Sequence, residues 1–172
     1  MGTCKAFGKE ILVVGALASD EALESAARGE LEALYGPVET ATPREIFSWT
    51  PYYDAEMGAP IWRSYFAFRD FVDPASLAAV KRAANAIESR LAVGGRRKVN
   101  LDPGLLAPGR FVLATTKDRA HRIALSEGVY AELTLIFERG EFRALPWTYP
   151  DWASEPVRSM LASWRRRLFA PR

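Results

Sequence analysis

The sequence predicts an α+β fold with a mixed or antiparallel sheet, two helices on one face, and a C-terminal β-hairpin followed by a helix. Two observations predict it: a strand pattern is twice followed by an amphipathic helix pattern, and further strand patterns then fill the second half. The chain has 172 residues, of which 49% are hydrophobic, and this is enough for one core. Since no repeat or shift in composition marks a boundary, we expect residues 1–172 to form a single domain.

The first strand and helix have the clearest patterns. Residues 11–18 are almost all apolar, which is typical of a strand buried on both faces. A helix over residues 20–35 follows, because Asp20 is a common N-cap and a Gly-Pro pair ends the apolar stripe. A weaker strand over residues 38–47 is interrupted by a proline, and residues 48–60 form a long loop.

A second strand and helix follow that loop. Residues 61–72 alternate as in a half-buried strand, with Trp62, Phe66 and Phe68 on one face and Arg63, Tyr65 and Arg69 on the other. Asp73 and Pro74 predict the start of a helix. Its apolar stripe contains Leu77, Val80, Ala84, Ile87 and Leu91. The order strand, helix, strand, strand, helix matches a split βαβ, ferredoxin-like start.

The second half has shorter elements. Residues 99–104 have the composition of a turn, because asparagine and aspartate bond local backbone, proline fixes φ, and glycine allows positive φ. Three strands and a helix follow, over residues 110–116, 129–137, 141–145 and 154–169. A tight turn at Arg139 and Gly140 joins the last two strands into a hairpin.

The charge and the reactive side chains exclude several functions. The net charge is +2, which is too small to predict DNA or an anionic membrane as a partner. The chain has one cysteine, Cys4, and one histidine, His121, so it cannot form a multi-histidine or Cys/His metal site. We assign no metal site, and the sequence indicates no particular cofactor.

The N-terminal apolar run is shorter than a membrane span. Lys5 and Lys9 precede it as they would in a secretory signal, but Glu10 adjoins the run, and residues 11–18 are few for a signal core. A buried strand is therefore the favoured interpretation. Because the chain has no pair of cysteines, it fits a reducing compartment, and we expect a cytoplasmic location.

Asn100 and Asp102 are the first candidate site residues. They stand two residues apart at the end of a strand, where side chains project into a crevice at the sheet edge. A carboxylate held in this way is a common acid, base or ligand group. The alternative is a purely structural Asx-type turn.

The second candidate cluster follows the strand 110–116. Lys117, Asp118, His121 and Arg122 crowd two or more cations, a carboxylate and the only imidazole into one turn. The cations suit an anionic ligand, and the imidazole can move a proton near neutral pH. A solvated connection without a function is the alternative.

The third candidate group is Glu132 with Thr134, in the middle of an otherwise apolar strand. A carboxylate there either lies on a solvated sheet face or is partly buried and needs a partner. Together the three groups predict one polar pocket for a small anionic molecule, with Asp102 or Glu132 as base or hard-cation ligand and His121 as proton carrier. Such a pocket suits an acid–base site of the hydrolase or transferase type. The predicted ligand-binding residues are Asn100, Lys117, Asp118, Arg122 and Thr134.

Two other functions stay open. A protein–protein interaction module would use the aromatic loops, and it requires an exposed apolar patch around Trp49, Trp147 and Trp152. The same loops otherwise form lids on the core or the walls of a pocket that stacks on a ring or sugar. RNA binding would use the basic patches at residues 96–98 and 165–167, although aromatic residues do not interleave with them.

Several motifs, in order along nearly the whole chain, resemble a bacterial family catalogued as domain of unknown function 4416. They lie at residues 14–17, 52–58, 99–104, 113–118, 121–123, 130–135 and 146–151. One departure is Pro51, where we expect the family to carry an acid before the paired tyrosines. The resemblance implies a compact cytoplasmic bacterial protein and brings no activity with it.

Overall fold

A computed structural model describes residues 2–170, and within them nine strands form one antiparallel sheet accompanied by five α-helices. The strands are β1 (Glu10–Ala18), β2 (Val38–Ala41), β3 (Glu45–Ile46), β4 (Trp62–Val72), β5 (Val99–Ala107), β6 (Arg110–Thr115), β7 (Arg122–Ala124), β8 (Tyr130–Glu138) and β9 (Glu141–Ala144). The helices are α1 (Glu21–Tyr35), α2 (Asp54–Met57), α3 (Leu77–Arg90), α4 (Pro150–Ala153) and α5 (Glu155–Arg165), with 3₁₀ turns at Pro74–Ser76 and Arg166–Phe169.

The sheet topology confirms the α+β class and the ferredoxin-like start. The strands lie in the order β2-β4-β1-β5-β6-β8-β7, while β3 pairs with β4 and β9 pairs with β8. In the first four positions, the chain passes from β1 through α1 to β2, returns as β4 between them, and then passes through α3 to β5. This is the split βαβ arrangement, and the remaining strands extend it on the β5 side.

Helices α1 and α3 cover one face of the sheet. The Asp20 carboxylate caps α1 by accepting hydrogen bonds from the N–H groups of Ala22 and Leu23, at 2.8 and 3.1 Å. The stripe on α3 is buried as its periodicity predicts, and its residues pack against the even-numbered apolar residues of β1 and β4. No helix among the described residues has the length and apolar character needed to cross a membrane.

The C-terminal helices cover the other face. Trp152 in α4 and Leu161 in α5 are at most 1% exposed and pack, with Trp164, against Ile11 and Val13 of β1. The expectation of a half-buried β4 is therefore wrong, because both of its faces are covered. As one consequence, Arg63 on β4 is 7% exposed.

Residues 99–104 form the first part of β5, so the prediction of a turn is wrong. β5 pairs with β1 from Val99 to Leu106, but it pairs with β6 only from Gly104 to Ala107. Pro103 has no N–H to donate toward β6, so the ladder can end there without leaving a donor unpaired. Beyond that point a gap separates β5 from the end of β6.

Gly104 is required by close packing rather than by a positive φ. A Cβ atom there would lie 2.6 Å from Phe111 Cζ and 2.7 Å from the Val112 carbonyl oxygen, both on the neighbouring strand β6. The hairpin glycine, Gly140, does have a positive φ of 88°, after 52° at Arg139, as the predicted tight turn between β8 and β9 requires.

Gly104→Ala should lower the free energy of unfolding by about 1–3 kcal/mol, because the new methyl group overlaps a ring and a carbonyl that cannot easily move. The control is Gly29→Ala, on an exposed position of α1 with open space around it. It should raise the free energy of unfolding by roughly 0.5–1 kcal/mol, since alanine favours helix. Chemical denaturation measures both, and effects of the same sign would contradict the packing argument.

Candidate functional site

A cavity of about 490 Å³ lies beside the gap between β5 and β6. Its floor comes from β1, β4 and β5, and its walls come from α3, the end of β6 with residues 116–117, and the aromatic segments around residues 47–53 and 149–152. The volume is in the range of sites that hold small molecules.

At the gap, side chains of α3 form the hydrogen bonds to β5 that a neighbouring strand would otherwise form. The Leu101 N–H donates to Glu88 Oε1 at 2.7 Å, and the Leu101 carbonyl accepts from Lys81 Nζ at 2.7 Å. Lys81 and Glu88 are both 7% exposed and lie 3.9 Å apart. The N–H and carbonyl of Leu101 are therefore satisfied without a neighbouring strand, and the gap stays open as part of the cavity.

Arg63 connects three segments at the cavity floor. Its Nη1 donates to Asp102 Oδ2 on β5 at 3.0 Å, and its Nε and Nη2 donate to Asp151 Oδ2 on α4, the first at 3.1 Å. Burial alone would lower the pKa of Arg63, but Asp151 and Asp102 raise it, so the guanidinium stays charged. Gly15 on β1 makes room, since a Cβ atom there would lie 2.7 Å from Trp152 and 3.1 Å from Arg63.

The hydrogen bonds continue from Asp102 along the floor. Asn100 Nδ2 donates to Asp102 Oδ1 at 2.9 Å, and Arg97 donates to Asn100 Oδ1 and to Glu56 Oε2, each at 2.7 Å. Burial opposes the ionisation of Asp102, but the charges of Arg63 and Lys81 outweigh it and lower its pKa. Asp102 is therefore a fixed carboxylate acceptor, with a side chain 26% exposed.

Glu132 lies against the opposite wall and is buried, at 1% exposure, so the alternative of a solvated sheet face does not hold. Its Oε2 accepts from Arg122 Nε at 2.7 Å and bonds to His121 Nε2 at 3.0 Å. Its Oε1 is buried and has no hydrogen-bond partner among the described residues. The His121 ring stacks on Trp147, with centroids 4.9 Å apart, which holds the imidazole in place.

Lys117 stands at the end of β6, where its N–H donates to Thr115 Oγ1 at 3.2 Å. Its ammonium lies 5.0 Å from the centre of the Tyr52 ring, on the aromatic loop across the cavity. The described residues place no carboxylate within ion-pair distance of it. The other lining cations, by contrast, all have carboxylate partners.

The structure brings five of the eight predicted site residues to the cavity lining, namely Asn100, Asp102, Lys117, Arg122 and Glu132. His121 contacts Glu132 from outside the lining. Asp118 is exposed and Thr134 is 0% exposed, and neither lines the cavity.

Thr134 does not reach the cavity because β8 has a bulge opposite Phe111 and Val112. Its hydroxyl donates a hydrogen bond to the Glu132 carbonyl instead.

Sequence reasoning missed five charged residues of the lining, which are Arg63, Lys81, Glu88, Arg97 and Asp151. Lys81 and Glu88 are seven positions apart on α3, so both lie on the same helix face. This spacing could have predicted that the two side chains lie near each other. No such pattern marks Arg63, because the alternation of polar and apolar residues along its strand is equally compatible with an arginine on a solvated sheet face. Within the described residues, no group of three His, Cys, Asp or Glu side chains is arranged to hold a metal ion.

The three tryptophans of the aromatic loops lie in different settings. Trp152 is 1% exposed in the core, and Trp49 is 55% exposed at the cavity. Trp147 is 37% exposed and donates from Nε1 to the Leu133 carbonyl at 2.8 Å. They therefore do not form the single exposed patch that an interaction module would need, and Trp49 belongs to the cavity wall.

Arg63→Met should lower the free energy of unfolding by about 3–5 kcal/mol, because Asp102 and Asp151 would lose their shared countercharge. The matched control is Arg90→Gln, which breaks an exposed ion pair with Glu30 and should cost about 0–1 kcal/mol. Denaturant unfolding at neutral pH compares them. A cost for Arg63→Met no greater than that of the control would refute the central role of this residue.

Glu88→Gln should gain stability relative to the wild type as the pH rises from below 4.5 to neutral. Burial raises the folded-state pKa of Glu88 above 4.5, against the charge of Lys81, so the folded wild type loses stability as the pH passes through this interval. Glutamine stays neutral and avoids that loss. The measurement is the free energy of unfolding of both proteins at each end of the interval.

The control for this pH dependence is Glu56→Gln, whose effect should have the opposite sign. A hydrogen bond from Arg97 lowers the pKa of Glu56, so its stabilisation is present above about 4.5 and is lost in acid. This variant should therefore lose stability relative to the wild type as the pH rises. The same trend in both variants would contradict the assigned directions.

Comparison with known proteins identifies a family. No curated protein and no solved structure matches the chain significantly. The family model described as "Domain of unknown function (DUF4416)" matches residues 9–168, which include every segment that lines the cavity. The chain therefore belongs to the DUF4416 family.

Proposed function

We propose that this protein binds a small anionic molecule in the cavity beside the β5–β6 gap. The observation that carries the proposal is the state of Lys117, the one lining cation without a carboxylate partner among residues 2–170. An ammonium in this state has its charge available for a ligand, whereas the four paired cations are committed to the protein's own acids.

The cavity walls support a ligand that also has an apolar or ring-shaped part. Six aromatic residues line it, which are Phe47, Trp49, Tyr52, Tyr53, Tyr149 and Trp152. These aromatic side chains make part of the wall around the polar floor apolar. A ring with an anionic substituent matches a cavity with a polar floor and aromatic walls better than a bare inorganic anion does.

Acid–base chemistry would use two carboxylates if the bound molecule is also transformed. Asp102, whose pKa is lowered, would accept a hydrogen bond at the floor, and Glu132 would exchange protons through His121, whose side chain is 22% exposed. The orphaned Oε1 atom of Glu132 supports a role in ligand contact, because a buried carboxylate oxygen without a donor can accept a hydrogen bond from a ligand. We place this activity in a bacterial cytoplasm, where a single exposed cysteine is compatible with a reducing environment.

Lys117→Gln tests the proposal. A thermal-shift panel of inorganic phosphate, citrate, sugar phosphates and nucleoside monophosphates should contain at least one anion that raises the Tm of the wild type. In Lys117→Gln, the affinity for that anion should fall roughly tenfold to hundredfold, as expected when one charged hydrogen bond is lost. The control is Arg119→Gln, which removes a cation from the same loop outside the cavity lining.

Two results would count against the proposal. One is a panel in which no anion changes the Tm of the wild type. The other is an anion that protects wild type and Lys117→Gln equally, since it would bind elsewhere.

A further inference from the structure

The floor of the cavity presents a hydrogen-bond acceptor beside a donor. Each oxygen of Asp102 has one protein donor, Arg63 or Asn100, although a carboxylate oxygen can accept about two hydrogen bonds. Asn100 uses one of its two Nδ2 hydrogens on Asp102, and the other has no partner among the described residues. Of the common ligand groups, a hydroxyl matches this pair, because it donates to the carboxylate and accepts from the amide.

The charges on the floor favour a neutral ligand group over a cationic one. Arg63 lies between Asp102 and Asp151, and Arg97 lies between Glu56 and Asn100. Asp102 shares the charge of Arg63 with Asp151, and the charge of Lys81 also acts on Asp102 and lowers its pKa. Both cations would repel an ammonium on the ligand, whereas a hydroxyl meets no such repulsion. A hydroxyl takes the free lone pairs without adding a charge to a partly buried network.

The aromatic walls lie directly beside these polar atoms. Tyr53 lines the cavity near Asp102, and burial together with that carboxylate raises the pKa of its hydroxyl, which therefore stays a donor. Trp49 and Tyr52 line the cavity and are 55% and 63% exposed, so their rings are accessible to a ligand. Sugar rings carry hydroxyls on their edges and C–H groups on their faces, so one ring can use the polar floor and the aromatic walls together.

We propose that the ligand is a phosphorylated sugar, bound with its hydroxyls at Asp102 and Asn100 and its phosphate at Lys117. This inference rests on the proposed function and specifies the ligand class of the same cavity. Lys117 stands on an exposed loop at the aromatic side, whereas Asp102 and Asn100 stand on β5. The phosphate thus stays near water, and the hydroxyls reach the enclosed floor.

Isothermal titration of the full chain tests the ligand class. The probes are glucose 6-phosphate, fructose 6-phosphate, ribose 5-phosphate and inositol 1-phosphate, each compared with its unphosphorylated parent, with inorganic phosphate and with adenosine monophosphate. At least one sugar phosphate should bind tenfold or more tightly than its parent, than inorganic phosphate and than the nucleotide. Asp102→Asn should weaken that sugar phosphate tenfold or more while changing the affinity for inorganic phosphate less than twofold.

A second measurement keeps the inference testable if Asp102→Asn does not fold. Monodeoxy analogues of the best sugar phosphate are titrated into the wild type, and loss of at least one hydroxyl should weaken binding fivefold or more. Equal affinity for all analogues would overturn the inference, as would a panel in which no sugar phosphate exceeds inorganic phosphate or the nucleotide tenfold. In those cases, Lys117-dependent binding of another anion would leave the proposed function standing, whereas absence of all anion binding removes both.

Discussion

The buried guanidinium of Arg63 is the contact on which the cavity depends. Its partners, Asp102 and Asp151, are 39 and 88 residues away in the sequence, and they belong to a central strand and to a C-terminal helix. A charge with 7% exposure is tolerable only when it is compensated on the spot, so all three segments must be in place together. Because α4 packs over the sheet at this contact, Arg63 links the floor of the cavity to the second face of the core.

The gap between β5 and β6 is the second constraint, and it explains how a cavity can open inside a continuous sheet. Ending a ladder normally leaves backbone donors and acceptors unpaired, which is costly when they are buried. Here Pro103 lacks the donor, and Glu88 and Lys81 satisfy the N–H and carbonyl of Leu101. The same two side chains line the cavity, so satisfying the strand also makes the α3 side of the cavity polar.

Periodicity predicted the α+β fold because it reports which faces of each element are apolar. The stripe on α3 and the buried run in β1 both repeat over enough residues to indicate helix or strand without long-range information. The order of the elements then favoured a split βαβ start. Local composition gave a wrong prediction at residues 99–104, because the proline there ends a ladder and the glycine makes room for the neighbouring strand, and neither forms a turn.

The candidate site was predictable only in part, for a related reason. Glu132, Lys117 and Arg122 stood out because polar groups interrupted apolar patterns or crowded into one loop, and these are local features. Arg63 and Asp151 form their ion pair across 88 residues of sequence, and no local pattern indicates such a pairing. Thr134 was predicted to line the site because alternation along the strand places it on the same face as Glu132. A single bulge in β8 breaks that alternation, and Thr134 is buried in the core instead.

In the proposed binding mode, affinity and selectivity would depend on two different parts of the structure. Asp102 and Asn100 stand on a central strand and are fixed by Arg63 and Arg97, so their free lone pairs and N–H are already oriented before a ligand arrives. Such groups lose little entropy on binding and discriminate by geometry. Lys117 stands on a loop, held across the cavity by the face of Tyr52, and its charge attracts an anion from many directions. A ligand with an anionic end and a hydroxylated end would therefore be attracted mainly through the loop and selected mainly through the strand.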